Sequence, residues 1–158
     1  MRQLTTRQRG LTLVEMVVGI AIGAFLVLSA SPYFADYTTN SRLRESGNLL
    51  YSEALIAQSE ALKRNAIVRL SGNGSTLQVI DRSVPATPVV LRERRFAEGV
   101  SASVATIDFS SQGMRLGDGG AIDLSFSGIT CSTERRCPGL RVDAGGAIKL
   151  CADNTTSC

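Results

Sequence analysis

Glu15 is the only charged side chain between Arg9 and Asp36, near the start of an otherwise apolar stretch. A carboxylate at a bilayer centre costs about 2.5–3.5 kcal/mol on insertion scales, so one kept at the edge of such a segment implies a use. Pairing with a positive group is the chemistry that makes it tolerable. Catalysis is poorly served elsewhere. The chain has no histidine, and its four cysteines all lie near the C-terminal end. With those cysteines oxidised, the usual general base and thiol nucleophile are both missing. Ser59-Glu60 and Asp108 with Ser110 are pairs without a third supporting group, and there is no Gly-rich phosphate loop. The expectation is a protein that is not an enzyme and takes no cofactor.

Cys131, Cys137, Cys151 and Cys158 are the second group with chemistry. An even count clustered in an exported tail predicts disulfides. Zinc is the rival, but there is no histidine and no C-x-x-C spacing to hold it. No metal is expected. Two local loops, Cys131–Cys137 and Cys151–Cys158, are the first reading of the pairing. A nested pairing competes, because a hairpin through Gly145-Gly146 would bring Cys137 near Cys151.

The elements that position these groups follow from composition. Residues 1–10 are a short basic leader with Arg2, Arg7 and Arg9, ending in Gly10. Residues 11–35 form the apolar segment, and Met16 to Ala35 has no charge, enough for a helix across about 30 Å of hydrocarbon. Net charge is +3, but without the leader arginines the chain has 14 Lys+Arg against 14 Asp+Glu. The basic balance therefore gives no global field that favours nucleic acid.

Residues 36–65 continue the helix. Leu43, Gly47, Leu50, Ala54, Ala57 and Ala61 recur at steps of four and three, with Arg44, Glu45, Glu53, Glu60 and Lys63 mostly off that face. Pro32 removes one backbone donor and should bend the helix without ending it. From residue 66 to 158 the pattern becomes short strands and turns. Gly72-Asn73-Gly74 separates Ile67–Leu70 from Thr76–Ile80 as a hairpin signal. Further strands are predicted at 89–91, 100–104, 107–109, 121–126, 140–142 and 147–150. One long helix with many short antiparallel strands is an α+β fold.

Gly10-Leu11-Thr12-Leu13-Val14-Glu15 resembles the processing site of type IV prepilins and type II secretion pseudopilins. The resemblance implies cleavage between Gly10 and Leu11 by prepilin peptidase and N-methylation at Leu11. It makes Glu15 and Pro32 assembly residues of the long helix. Leu11 departs from the more usual phenylalanine. Leu49-Leu50, Ser59-Glu60-Ala61, Lys63-Arg64-Asn65 and Ile107-Asp108-Phe109-Ser110-Ser111-Gln112-Gly113 resemble the GspH/FimT branch. That branch implies a long helix packed on an antiparallel sheet domain, with other major and minor pilins as partners. The new ammonium at Leu11 would meet the Glu15 of an adjacent subunit, setting axial register.

A general secretory signal would also begin with basic residues, but Glu15 interrupts its apolar core, and the Ser29-Ala30-Ser31 site would leave Pro32 just past the cut. A simple anchor carrying a periplasmic binding domain is a further alternative. Some FimT-type minor pilins bind DNA through a C-terminal Gly-Arg-x-Arg motif, and the matching stretch is Gly146-Ala147-Ile148-Lys149. Arg135, Arg136, Arg141 and Lys149 are the candidate double-stranded DNA contacts. Lysine neutralises a phosphate but lacks the guanidinium fork, while Glu134, Asp143 and Asp153 dilute the charge. The reading is a minor pilin held in the inner membrane with its C-terminal domain in the periplasm, then assembled into an extracellular type IV pilus. A GspH-type pseudopilin of type II secretion is the alternative.

Overall fold

The computed structural model describes residues 12–132 and 135–155, apart from the side chains of residues 30–33. The chain divides into two compact units, Met1–Tyr37 and Thr38–Cys158. One helix, α1 (Leu13–Arg64), begins in the first and ends in the second.

α1 starts as its sequence dictates. Thr12 is the N-cap: its hydroxyl accepts from the Glu15 backbone N–H at 3.3 Å, and its carbonyl from Met16 N at 3.2 Å. The helix continues through Pro32, as expected. In the first unit the apolar side chains are exposed all round the helix. Phe25, Leu26, Val27 and Leu28, four consecutive residues that point in four directions, are all at least 61% exposed. A helix apolar on every side belongs in a membrane or a protein core. Among the described residues no single helix is long and apolar enough to cross a membrane, but Leu13–Ser29 and Phe34–Arg64 are so as a pair.

In the second unit α1 forms one wall of the core. Leu43, Leu50, Ala54, Ala57 and Ala61 are all at most 1% exposed, and Gly47 is buried with them. The expected face is therefore the buried one, and its small residues let the sheet approach closely. α1 ends at Arg64 because Asn65 takes φ 50°, while Asn65 N bonds to Leu62 O and Ala66 N to Ala61 O. This is a Schellman closure with asparagine in the left-handed position.

Eight strands follow: β1 (Val68–Gly74), β2 (Thr76–Asp81), β3 (Val89–Arg95), β4 (Val100–Phe109), β5 (Arg115–Leu116), β6 (Ala121–Phe126), β7 (Gly139–Val142) and β8 (Ile148–Cys151). They form an antiparallel sheet in the order β3-β2-β1-β4-β6-β7-β8, with β5 on β4. Phe109, Leu70, Leu77, Ile107, Ile122, Leu124 and Leu140 fill the core between the sheet and α1. The α+β expectation holds.

Three local expectations change. β1 runs through Gly72-Asn73-Gly74, so the turn falls at Gly74-Ser75, with Asn73 paired to Thr76. Gly72 is inside the strand, where a side chain would press on Ile122, Ala102 and the Ser103 carbonyl at 3.1–3.3 Å. The strands expected at 100–104 and 107–109 are one ten-residue strand, since Ala105-Thr106 contains nothing that breaks a ladder. The strand expected at 89–91 runs on through the charged residues Arg92–Arg95 as β3, an outer strand of the sheet. Charges on such an edge discourage pairing with other chains.

Candidate functional site

The processing residues Gly10 and Leu11 lie outside the described residues. Glu15 is described: it occupies the third position of α1 and is exposed. Thr12-x-x-Glu15 is the capping-box spacing, so the carboxylate also sits where the helix dipole favours a negative charge. Pro32 lies between the two segments Leu13–Ser29 and Phe34–Arg64.

The C-terminal hairpin holds the other candidates. β7 and β8 pair so that Arg141 faces Lys149 and Leu140 faces Leu150. Leu140 is buried, and Leu150 reaches toward Gly47 of α1. Alternation along the strands therefore turns Arg141 and Lys149 to the face away from the helix. Arg141 is partly committed: its Nη1 donates to Asp123 Oδ1 on β6 and to the carbonyl of the preceding residue, Leu140. Arg136 is elsewhere. It lines a cleft with Arg44 of α1 and Leu150. Arg135 is exposed within a tight loop, where its N–H donates to Ser132 Oγ and its carbonyl accepts from Ser132 N. The fold thus brings Arg141 and Lys149 together and sets Arg136 among other neighbours.

Cys131 and Cys137 are bonded to each other, as the local-loop reading expects. The hairpin that the nested pairing required does form, but it registers Cys151 opposite Gly139. The Cys151–Cys158 expectation falls on a residue outside the described ones. After β8 the tail folds back: Asn154 N donates to the Cys137 carbonyl at 2.7 Å and Asn154 Nδ2 to the Leu124 carbonyl at 3.0 Å. Asp153 accepts from both the backbone and hydroxyl of Thr155, which hold its carboxyl below the usual range.

Two polar side chains of α1, one buried and one half-buried, went unrecognised in the sequence. Glu53 is 3% exposed, although the periodicity put it off the apolar face. Arg92 and Arg94 reach across from β3 and neutralise it, and the carboxylate raises the pKa of Arg92. Gln58 uses one nitrogen for two carbonyls, Gly113 at 2.7 Å and Gly146 at 2.8 Å, so a single helical side chain ties down two turns. On the strands, Arg69 and its register partner Asp108 form a two-point ion pair at 2.6 and 2.7 Å. None of these constellations resembles a catalytic site; they are fastenings.

A capped apolar helix with one acid in its first turn, leading into a helix-on-sheet domain, defines a pilin-like protein. Sequence comparison agrees. The prokaryotic N-terminal methylation motif matches residues 5–31, and the type II transport protein GspH family matches residues 46–146. The chain belongs to the GspH family of type IV pilins and pseudopilins and carries the methylation motif of that class.

Solved structures show the same fold. The Pseudomonas aeruginosa type IV minor pilin FimU (space group P21) is 17% identical, with a TM-score of 0.57 over 72% of this chain and 91% of that one. The Vibrio cholerae minor pseudopilin EpsH of the type II secretion system is 10% identical, with a TM-score of 0.58 over 75% of this chain and 99% of that one. No curated protein matches the chain significantly in sequence.

Proposed function

We propose that the chain is a minor pilin of a type IV pilus, processed between Gly10 and Leu11, methylated at Leu11 and built into the filament through α1. One observation carries this reading: the first half of α1 leaves apolar side chains bare on all sides, whereas its second half is sealed into the core of one domain. Such a helix needs lipid before assembly and neighbouring helices after it. The new ammonium at Leu11 then pairs with Glu15 of the adjoining subunit. The role is structural, with the leader in the cytoplasm and the sheet domain in the periplasm. N-terminal sequencing of the native protein should begin at Leu11. Glu15→Ala should be processed normally yet absent from sheared filaments, whereas a native chain beginning at Met1 refutes the reading.

A GspH-type pseudopilin of type II secretion is the second reading, favoured by the EpsH likeness. The disulfide-containing tail is the modest argument for the pilus. Deletion separates the two: lost twitching and transformation support the pilus, lost protein export the secretion system. For duplex DNA, the cross-strand neighbours Arg141 and Lys149 support phosphate contact, with Arg135 and Arg136 as flanking candidates. If Arg141→Ala with Lys149→Ala leaves the salt-dependent affinity for duplex DNA unaltered, DNA binding by this hairpin is excluded.

A further inference from the structure

Two acids bracket the apolar part of α1. Glu15 lies in its first turn and Asp36 is the next charge, with the twenty residues from Met16 to Ala35 between them. At a rise of 1.5 Å per residue the two positions stand about 31 Å apart along the helix, close to the roughly 30 Å of a bilayer's hydrocarbon core. Both carboxylates can therefore lie at a membrane surface at once. A helix set at that depth carries no charge into the hydrocarbon, where one acid costs about 2.5–3.5 kcal/mol.

The two ends differ in their neighbours. Around Asp36 the sequence gathers Tyr33, Phe34 and Tyr37, three of the five aromatic residues of α1. Phe34 is 69% exposed and Tyr37 71% exposed. Three residues apart on a helix, they share one side of it. Bare aromatic rings, above all those with a polar tip, are the side chains enriched where hydrocarbon meets the lipid headgroups. Ahead of Glu15 the sequence has no aromatic residue and instead carries Arg2, Arg7 and Arg9. Arginines beside a span stay on the cytoplasmic side.

We propose that Phe34 and Tyr37 form a lipid-interface anchor: before assembly they seat at the outer headgroup layer and hold α1 at a depth that leaves Glu15 at the cytoplasmic surface. The proposal rests on the membrane reading above and adds the depth of the span. Glu15 then enters hydrocarbon only when the subunit is drawn outward. Its pairing with a neighbour's ammonium belongs to assembly, not to storage.

The chain has no tryptophan, so an introduced one reports alone. The full chain is reconstituted in phosphatidylcholine vesicles whose acyl chains carry bromine either near the headgroup or near the terminal methyl. Tyr37→Trp and Phe34→Trp should each be quenched more by the shallow bromines than by the deep ones. Phe25→Trp, close to midway between Glu15 and Asp36, should show the reverse order. Adding Phe34→Ala and Tyr37→Ala to the Phe25→Trp chain should reduce its preference for the deep bromines.

Stronger quenching of Tyr37→Trp by the deep bromines, or a Phe25→Trp signal unmoved by the two alanines, overturns the anchor and leaves the membrane reading standing. Tryptophans quenched by neither lipid sink the membrane reading and the anchor together. N-terminal sequencing judges processing separately, because the vesicle measurement requires neither cleavage nor a filament.

Discussion

Arg92 meets Glu53 in a two-point ion pair, Nε to Oε2 at 3.0 Å and Nη2 to Oε1 at 2.9 Å, across the gap between β3 and α1. Arg94 adds a third contact at 3.4 Å. An outer strand is the part of a sheet held by fewest neighbours, and here its own charges pin it to the helix. Glu53 is 3% exposed, whereas the Arg92 side chain is 38% exposed, so the carboxylate is the member that depends on its partner.

Removing that partner should therefore be costly. Arg92→Ala should destabilise the folded chain by about 2 kcal/mol, below the 3–5 kcal/mol typical of fully buried pairs because Arg94 remains and water reaches the site. Urea unfolding in micelles would measure it. Replacing the pair together, Glu53→Leu with Arg92→Met, should recover most of the loss. A single-variant change below about 0.5 kcal/mol would show that the pair contributes little.

Gly146 has φ +87°, and a Cβ there would collide with the Gly113 carbonyl, the same group that accepts from Gln58. Gly146→Ala should therefore cost about 2 kcal/mol or more from backbone strain and displacement. Gln58→Ala, which strands two carbonyls, should cost about 1–2 kcal/mol. Hydrogen exchange should increase in residues 110–114 and 143–147 together. Exchange rising in only one turn would contradict the shared fastening.

Opening the Cys131–Cys137 loop should cost about 2 kcal/mol, the chain-entropy value for so short a ring. Cys131→Ser with Cys137→Ser should lower the urea midpoint and loosen the start of β7, two residues further on. If the double variant unfolds at the parental midpoint, the bond has no mechanical role in the domain.

Acid should weaken the domain in a defined direction. Arg64 holds the Glu60 carboxyl below its ordinary 4.5, and Ser83 holds that of Asp81 below its ordinary 3.8. Thr155 does the same for Asp153. A pKa lower in the folded state means that the unfolded chain binds protons first. Their stabilisation is therefore complete above about pH 5 and lost as pH falls through the folded values. Midpoints measured from pH 7 to pH 3 should fall only below about 5, and Glu60→Gln should flatten part of that fall. A decline beginning near neutrality would implicate other groups.

Much of this protein could be read directly from its residues. The apolar segment and its lone acid, the small-residue face from Leu43 to Ala61 and the strand-rich remainder all follow from local rules. Hydropathy and 3.6-residue periodicity act over one or two turns, so sequence exposes them. Only the tertiary structure decided that Glu53 is buried, that Gln58 joins two turns, and that Arg136 lines a cleft with Arg44 while Arg141 faces Lys149. The partners in these relationships lie on different elements, and strand order and register set their distances. No local pattern encodes a bond between residues brought together only when the sheet closes on its helix.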